Sequence, residues 1–436
     1  MRAIVLVPVK PTAAGANARA PALARSSSDR LAEAVALAKA IELEVCDADT
    51  VPLSHPRAAT LFGSGKVAEI AASVAAHAAG LVIIDHQLSA IQQRNLERAW
   101  ACKVLDRTGL ILEIFGERAH TREGALQVEL AHLTYQKSRL VRTWTHLERQ
   151  RGGFGFLGGP GEAQIETDRR LIEERIEALR KDLRSVVRTR ALHRAGRRRT
   201  SFPLVALVGY TNAGKSTLFN RLTGAAALAR DQLFATLDPT MRAVAVGRGR
   251  RIILSDTVGF ISDLPTTLVA AFRATLEEVV AADLIVHVRD ISHPETEAQV
   301  RDVAAVLAQL DIDADAGDRR VMEAWNKADR LSDAGRAEAM RAIGGAKERR
   351  PVLVSARTGE GLDALRQAID DRLGADDEIL TLEIPARAGA LLSWLHDNAE
   401  VLGQETTDSG AVTARVRIDA TMRARFQGQL RRAGLA

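Results

Sequence analysis

The chain has 436 residues, more than one typical domain requires, and we expect two or three domains. Its composition, 46% hydrophobic and 26% charged, is that of a soluble globular protein, which excludes fibrous and disordered classes. The formal net charge is +5. Cys46 and Cys102 are too few for a disulfide framework or a zinc site, and no apolar run reaches membrane-spanning length, so we expect a cytoplasmic protein.

Residues 1–120 alternate short apolar runs with helix-like stretches and predict an N-terminal α/β domain with a parallel sheet. Within it, Gly63–Lys66 precedes the second predicted helix. This segment either receives a phosphate at the helix N-terminus or forms a plain glycine turn. The expected strands lie near 3–9, 81–84 and 103–105, and the expected helices near 29–40, 66–78 and 88–100.

Residues 121–195 predict a long antiparallel helical hairpin. Apolar residues recur in two heptad runs, with Lys137 as a polar interruption in the first. Two such seams bury against each other or against a neighbouring sheet. The first run is Leu126, Leu130, Leu133, Leu140, Trp144 and Leu147, and the second is Ile172, Ile176, Leu179, Leu183 and Val186.

The glycine-rich tip of this hairpin, 152–161, is longer than a connection between two helices requires. Arg151, Phe154 and Phe156 at the tip, followed by Arg169 and Arg170, suit phosphate contact and base stacking on RNA. Residues 121–200 carry 18 Lys and Arg against 10 Asp and Glu, which favours an anionic partner. A loop with incidental aromatic residues is the alternative.

Residues 196–374 predict a P-loop GTPase (G) domain, because five nucleotide-binding motifs follow one another in the order that a GTPase requires. An apolar strand, 202–208, leads into the first motif, whose backbone N–H groups would surround the α- and β-phosphates. Lys215 would reach the β- and γ-phosphates, and the Ser216 hydroxyl would bind Mg²⁺. The predicted nucleotide-binding residues here are Gly209, Tyr210, Thr211, Asn212, Ala213, Gly214, Lys215, Ser216 and Thr217.

Three further motifs complete the predicted nucleotide site. In the second of these, the Asp329 carboxylate would accept hydrogen bonds from N1–H and the 2-amino group of guanine, which adenine cannot match. The motifs are Asp256, Thr257, Val258 and Gly259 on the Mg²⁺ and γ-phosphate side, then Asn326, Lys327 and Asp329 at the base, then Ser355 and Ala356 beside the base O6.

Between the first two motifs, the loop 233–239 contains Thr236, which we assign to the Mg²⁺ shell when the γ-phosphate is present. Thr240 is the alternative. The predicted Mg²⁺ ligands are therefore Ser216, Thr236 and Asp256, the last directly or through water. We assign the catalytic roles to Lys215, Thr236 and Gly259.

Phe260 follows Gly259 at the position where Ras-like enzymes carry a water-orienting Gln. We therefore expect slow intrinsic hydrolysis that a partner accelerates; simple packing of Phe260 is the alternative. Asn212 resembles the P-loop Asn of potassium-activated GTPases and is a candidate K⁺ ligand. Residues 375–436 predict a small C-terminal α+β domain, with strands near 379–384 and 412–418 and helices near 389–397 and 421–433.

In Gly209–Ser216, Phe234–Pro239, Asp256–Phe260 and Gly159–Arg170, the chain resembles the HflX family of ribosome-associated, Obg-HflX-like GTPases. The resemblance implies a GTP hydrolase that binds the large ribosomal subunit and its rRNA, brings the tip near the peptidyl-transferase centre, and splits or rescues stalled ribosomes. It also implies ATP binding by the N-terminal domain. We expect a monomer.

Two other functions stay open: a potassium-dependent GTPase of ribosome assembly or RNA modification, and a GTP-dependent binding scaffold. The sequence has no methyl-donor or redox motif beside the G domain, which disfavours the first. A plain scaffold has no use for a heptad hairpin with a glycine tip.

Overall fold

The computed structural model describes residues 1–9, 25–150, 160–198, 202–224, 233–234, 236–247, 250–262, 273–313, 318–345, 350–375, 377–407, 410–418 and 420–432. Among them, no helix combines the length and apolar character that crossing a bilayer requires. Residues 152–159 of the predicted hairpin tip lie outside the described residues, and Pro160 and Gly161 begin the helix that follows.

The first sheet has four parallel strands in the order β2-β1-β3-β4, with β1 buried along most of its length. A run of apolar residues buried on both faces is typical of parallel sheets covered by helices. The elements are β1 (Arg2–Val9), α1 (Ser27–Ala40), β2 (Glu44–Pro52), α2 (Ser64–His77), β3 (Leu81–Ile84), α3 (Ala90–Trp100), β4 (Lys103–Asp106) and α4 (Arg107–Arg118).

The hairpin consists of α5 (Arg122–Gln150) and α6 (Pro160–Arg198). Ile176 and Leu179 of the second predicted seam are buried. Lys137, the polar interruption of the first seam, lies 3.1 Å from the carboxylate of Glu173 on the opposite helix. Its charge is thus paired across the hairpin, and the apolar pattern continues on either side.

The G-domain sheet has six strands in the order β10-β9-β8-β5-β7-β6, and β6 alone among these strands runs antiparallel to its neighbour. Because the carboxyl ends of the parallel strands meet at one edge, the loops that follow them converge there. The elements are β5 (Leu204–Val208), α7 (Lys215–Thr223), β6 (Thr240–Val246), β7 (Arg250–Asp256), α8 (Arg273–Val280), β8 (Leu284–Asp290), α9 (Thr296–Ala308), β9 (Val321–Asn326), α10 (Asp333–Gly345), β10 (Val352–Leu353) and α11 (Leu362–Leu373).

A three-stranded antiparallel sheet, β11-β13-β12, forms the C-terminal unit. Two helices contribute Leu395 and Phe426 to one buried cluster with Val416 of the sheet. The elements are β11 (Glu378–Ile384), α12 (Gly389–Asn398), β12 (Glu400–Thr406), β13 (Val412–Ile418) and α13 (Ala420–Arg432). The predicted α/β class, the helical hairpin and the α+β tail are confirmed; the four domain boundaries stay predictions.

One buried apolar cluster joins the N-terminal sheet, the hairpin and the G domain. It includes Phe115 of α4 and Val128 of α5, together with Phe234, Leu237 and Phe260 from loops around the predicted nucleotide site. Phe115 and Phe234 meet edge to face, with ring centroids 4.7 Å apart. The loops that would contact nucleotide are therefore packed against the N-terminal half of the chain.

Candidate nucleotide-binding site

The turn between β5 and α7 is built on two glycines. Gly209 has φ +154°, and a Cβ there would lie 2.2 Å from the carbonyl oxygen of Val288. Gly214 has φ +92°, and a Cβ there would lie 2.3 Å from the side-chain nitrogen of Asn326. Glycine alone fits such backbone and spacing, so the loop can curve tightly with its N–H groups directed inward.

Lys215 begins α7 and is buried within this turn. Its ammonium donates to the carbonyls of Gly209, at 3.1 Å, and of Tyr210, at 2.8 Å. Burial lowers the pKa of Lys215 to about 8, against the opposing attraction of Asp256. The loop carbonyls thus hold this cation at the floor of the cleft, where polyphosphate oxygens would replace them.

Three oxygen-bearing side chains converge beside Lys215. The Ser216 hydroxyl lies 2.9 Å from the Thr236 hydroxyl and donates to Asp256 Oδ2 at 2.7 Å, and Thr236 donates to the same oxygen at 2.9 Å. Asp256 Oδ1 is buried with no hydrogen-bond partner among the described residues. Burial raises the pKa of Asp256, while the Ser216 hydrogen bond and Lys215 oppose that rise.

Hydroxyl and carboxylate oxygens are the hard ligands that Mg²⁺ prefers, so the residues present fit this ion. Thr240, the alternative to Thr236, is exposed at the first position of β6 and is not part of this cluster. The geometry therefore brings together Ser216, Thr236 and Asp256, as the sequence predicts.

The segment after Asp256 lies against the P-loop. Phe260 N–H donates to the Gly209 carbonyl at 3.1 Å, and the Phe260 carbonyl accepts from Thr211 N–H at 2.7 Å. A Cβ on Gly259 would lie 2.9 Å from Thr211 Cα and 3.0 Å from Lys215 Nζ. Gly259 thus approaches the phosphate side of the cleft closely.

The Phe260 side chain is 1% exposed and packs in the shared apolar cluster. This is the arrangement expected if Phe260 serves only as a packing residue. Thr257 and Val258 are also buried, and the Thr257 hydroxyl donates to the Leu207 carbonyl at 2.6 Å. Val258 and Phe260 are apolar and the Thr257 hydroxyl is used by Leu207, so none of these three side chains is available to orient an attacking water.

Asn326, at the end of β9, ties three loops together. Its amide nitrogen donates to the Ala213 carbonyl at 2.8 Å, and its amide oxygen accepts from Ala356 N–H at 2.9 Å. Lys327 follows with φ +66°, and its ammonium lies 2.7 Å from Asp290 Oδ2. Asn326 therefore positions the P-loop and the base pocket relative to each other, and both of its polar atoms are used.

Asp329 lies at the far end of the cleft. Its carboxylate accepts from Ser355 Oγ at 2.6 Å and lies 2.6 Å from a guanidinium nitrogen of Arg357. The Arg357 side chain is 72% exposed, so it can leave this oxygen to a guanine base at little cost. Sequence reasoning missed Arg357 and Asp290; the signals were adjacency to Ser355-Ala356 and the carboxyl end of β8.

The remaining predicted nucleotide ligands lie in the P-loop. Asn212 is exposed with φ +59°, whereas Thr211 is buried and its hydroxyl has no hydrogen-bond partner among the described residues. Both line the same cleft as Thr217, Asp329 and Ala356. The geometry thus gathers the predicted phosphate, metal and base residues around one cleft.

The N-terminal domain reaches this site through residues that the motif analysis did not single out. Glu33 of α1 accepts hydrogen bonds from the hydroxyls of Tyr210 and Ser262, and Arg107 of α4 donates to the Ser262 carbonyl at 2.9 Å. Ser262 N–H in turn donates to the Tyr210 hydroxyl at 2.9 Å. No local pattern indicates such contacts, because the partners are far apart in sequence.

Of the predicted RNA contacts, Arg169 and Arg170 lie exposed on α6, paired with Glu173 and Glu174 one turn on. Arg151, Phe154 and Phe156 lie outside the described residues. At the predicted alternative phosphate site, Lys66 pairs with Glu69 at 2.7 Å and Asp49 at 3.3 Å. That lysine is therefore engaged by two carboxylates.

Four family models match the chain. They are described as GTP-binding GTPase N-terminal (residues 28–116), GTP-binding GTPase middle region (118–197), 50S ribosome-binding GTPase (204–327) and HflX C-terminal domain (342–434). Together they extend over most of the sequence, from the first helix to the last.

Curated relatives agree. A GTPase HflX of Magnetococcus marinus is 49% identical over 95% of this chain and 94% of its own length. One from Escherichia coli is 46% identical over 84% and 83%. Among solved structures, a GTP-binding protein of the archaeon Sulfolobus solfataricus in complex with GDP is a distant likeness, 23% identical with a TM-score of 0.43 over 86% of this chain and 99% of that one.

Proposed function

Because the chain belongs to the HflX family of GTPases and is a GTP hydrolase, we propose that it associates with the large ribosomal subunit in the cytoplasm and splits or rescues stalled ribosomes. The observation that carries this proposal is the long hairpin, α5 and α6, attached directly beside a GTPase cleft. The family model that matches the G domain is described as a 50S ribosome-binding GTPase, which supports the proposal.

For the chemistry, the attacking water forms a bond to the γ-phosphorus as the bond to the bridging β,γ-oxygen breaks, giving GDP and phosphate. Lys215 neutralises charge on the β- and γ-phosphate oxygens, and Gly259 presents its N–H to the γ-phosphate. Ser216, Thr236 and Asp256 would hold Mg²⁺, which supplies charge neutralisation when bound. Asp329 and the Ser355-Ala356 segment select guanine.

Phe260 leaves the water without a polar side chain from the usual position, so we propose that the ribosome supplies or orders the orienting group. Hydrolysis by the isolated protein is then slow, and large subunits accelerate it by orders of magnitude. This dependence would restrict hydrolysis to the bound state.

K⁺ is the second candidate ion, and Asn212 would be its ligand beside the phosphates. Asn212 is exposed at the cleft and has a left-handed backbone conformation, which is compatible with that role. Replacing Asn212 by Ala should abolish any preference for K⁺ over Na⁺ in the hydrolysis rate. An unchanged ratio of rates in the two salts would argue against the ion.

Contact with ribosomal RNA is proposed for the tip, through Arg151, Phe154 and Phe156, and for the tip-proximal part of the second hairpin helix, through Arg169 and Arg170. The surplus of basic residues over 121–200 supports an anionic partner there. The i,i+4 pairs of the two α6 arginines are exposed, so phosphates can compete for them.

The direct experiment is sedimentation of the protein with separated ribosomal subunits, with GDP or with a non-hydrolysable GTP analogue. We expect co-sedimentation with the large subunit, stronger with the analogue, and none with the small subunit. Lys215→Ala should lose the dependence on nucleotide. Equal sedimentation with both subunits in either nucleotide would contradict the proposal.

A further inference from the structure

The loop that carries Thr236 is held from two sides. We define switch I as residues 233–239, of which 235 lies outside the described residues. Thr236 faces the metal-binding oxygens of Ser216 and Asp256. Two residues later, Asp238 faces away from the nucleotide cleft, toward the beginning of the hairpin.

Asp238 binds the two residues that immediately precede helix α5. One carboxylate oxygen accepts from the backbone N–H groups of His120, at 3.0 Å, and Thr121, at 2.8 Å; the other accepts from the Thr121 hydroxyl at 2.5 Å. Thr121 Oγ1 also accepts from Gly124 N–H at 3.0 Å, as an N-cap does. The carboxylate thus lies at the N-terminus of the helix, where its charge is favourable.

Gly124 makes room for this contact. A Cβ at that position would lie 2.5 Å from Asp238 Oδ1. The hairpin helix therefore carries glycine, a poor helix former, at the point where switch I approaches it.

Apolar contacts on both sides of Thr236 reinforce the docking. Phe234 is 2% exposed against Phe115 of α4, and Leu237 is 4% exposed in the same cluster as Val128 of α5. Successive residues of switch I thus face the metal site, the apolar core and the hairpin in turn.

We propose that Asp238 is a positioning residue for GTP hydrolysis: by docking switch I on the residues that cap the N-terminus of α5, it holds Thr236 at the metal site. The proposal rests on the assignment of Thr236 to the Mg²⁺ shell and does not require the ribosome. It also gives the hairpin a route to the nucleotide, because a displacement of the N-terminus of α5 moves Asp238 and, with it, Thr236.

The test uses the full chain with Asp238→Ala. Loss of a charge-assisted docking contact should lower kcat for GTP by about tenfold or more. GDP affinity should stay within about twofold, because switch I order depends on the γ-phosphate. Hydrogen exchange gives a second readout: in the parent, the amides of His120 and Thr121 should be better protected with a GTP analogue than with GDP, and the variant should lose that difference.

Gly124→Ala provides a second variant that keeps the carboxylate but places a methyl group against it. Since alanine favours the helix, its thermal midpoint should not fall, yet kcat should fall as in Asp238→Ala. This variant decides the question if Asp238→Ala folds poorly. Ser89→Ala is the matched control: it removes the N-cap of α3, away from the nucleotide, and should leave kcat unchanged.

Thr236→Ala separates the two assumptions. If Asp238→Ala and Gly124→Ala hydrolyse GTP at the parental rate while Thr236→Ala does not, the docking role is wrong and the metal assignment stands. If Thr236→Ala keeps the parental rate, the metal assignment fails, and the docking role fails with it. Equal losses of GDP and GTP-analogue affinity in Asp238→Ala would indicate a general structural role and would also overturn the proposal.

Discussion

The hydroxyl of Tyr210, in the P-loop, donates a hydrogen bond to the carboxylate of Glu33, in the first helix of the N-terminal domain. The same carboxylate is paired with Arg25, at 2.7 Å, and Arg107, at 2.6 Å. A single carboxylate, with its side chain 11% exposed, therefore connects the phosphate-binding loop to two helices of another domain.

Glu33 should make stability depend on pH. Burial would raise its pKa, but Arg107 and the other partners outweigh that effect and lower it to about 2, from 4.5. A carboxyl group with a depressed folded-state pKa stabilises the protein fully above its unfolded value, and that contribution is lost as pH falls from about 4.5 toward 2. Its size at neutral pH is on the order of 3 kcal/mol.

Glu33→Gln should therefore lower the free energy of unfolding by roughly 3 kcal/mol at pH 7. The substitution removes the charged carboxylate and leaves the guanidinium groups of its two arginine partners underpaired. The difference from the parent should shrink as pH falls below about 4.5. Urea unfolding from pH 7 to 3 would measure it. Glu129→Gln, which breaks an exposed pair with Arg175, is the control and should change stability little. A constant difference across this range would contradict the prediction.

Lys215 should make nucleotide affinity depend on pH in the alkaline range, whereas the effect of Glu33 on stability appears at acidic pH. Its pKa of about 8 in the free protein should rise when phosphates surround it, so affinity is full below pH 8 and falls above it. If only the protonated form binds, GDP should bind about fourfold more weakly at pH 8.5 than at pH 6.5. Fluorescent GDP titration measures this. Lys215→Arg, which stays charged, should bind less well but without that slope.

Asp329→Asn should change base selectivity. An amide presents one donor and one acceptor, which mispairs with the two donors of guanine but suits xanthine, so GTP affinity should fall by ~2–4 kcal/mol and XTP should be preferred. Arg357→Ala is the matched variant, because it removes a competitor for the carboxylate and should preserve GTP affinity. Undiminished GTP selectivity in Asp329→Asn would place the base elsewhere.

Shortening the tip, 152–159, to a minimal turn should preserve folding and GTP affinity, because the heptad seams and the cleft do not include it. Splitting of intact ribosomes and ribosome-stimulated hydrolysis should collapse, whereas binding should weaken less, since basic flanks supply phosphate attraction. Light scattering follows splitting directly. Neutralising Arg169 and Arg170 instead should mainly weaken binding at higher salt. Splitting at the parental rate by the shortened protein would reduce the tip to a linker.

The sequence by itself determined the family, the fold class and the nucleotide motifs. The first motif is set by local properties of the chain. Gly209 and Gly214 are required by their own backbone angles and close approaches, and β5, the strand before this loop, is a continuous apolar run. The strands β2 and β12 escaped prediction because polar residues interrupt their apolar pattern. In the sequence, Lys137 interrupts its apolar seam; the structure shows that its charge is paired with Glu173 of the other hairpin helix.

Only the tertiary structure decided how the nucleotide loops are held. Tyr210 and Glu33 are 177 positions apart, and Asp238 and Thr121 are 117 apart, so neither pairing leaves a periodic or compositional signal. Local patterns record which residues share a helix face or follow a strand. Contacts between domains depend on how finished elements pack, and it is that packing which brings a carboxylate of switch I to the N-terminus of the hairpin helix.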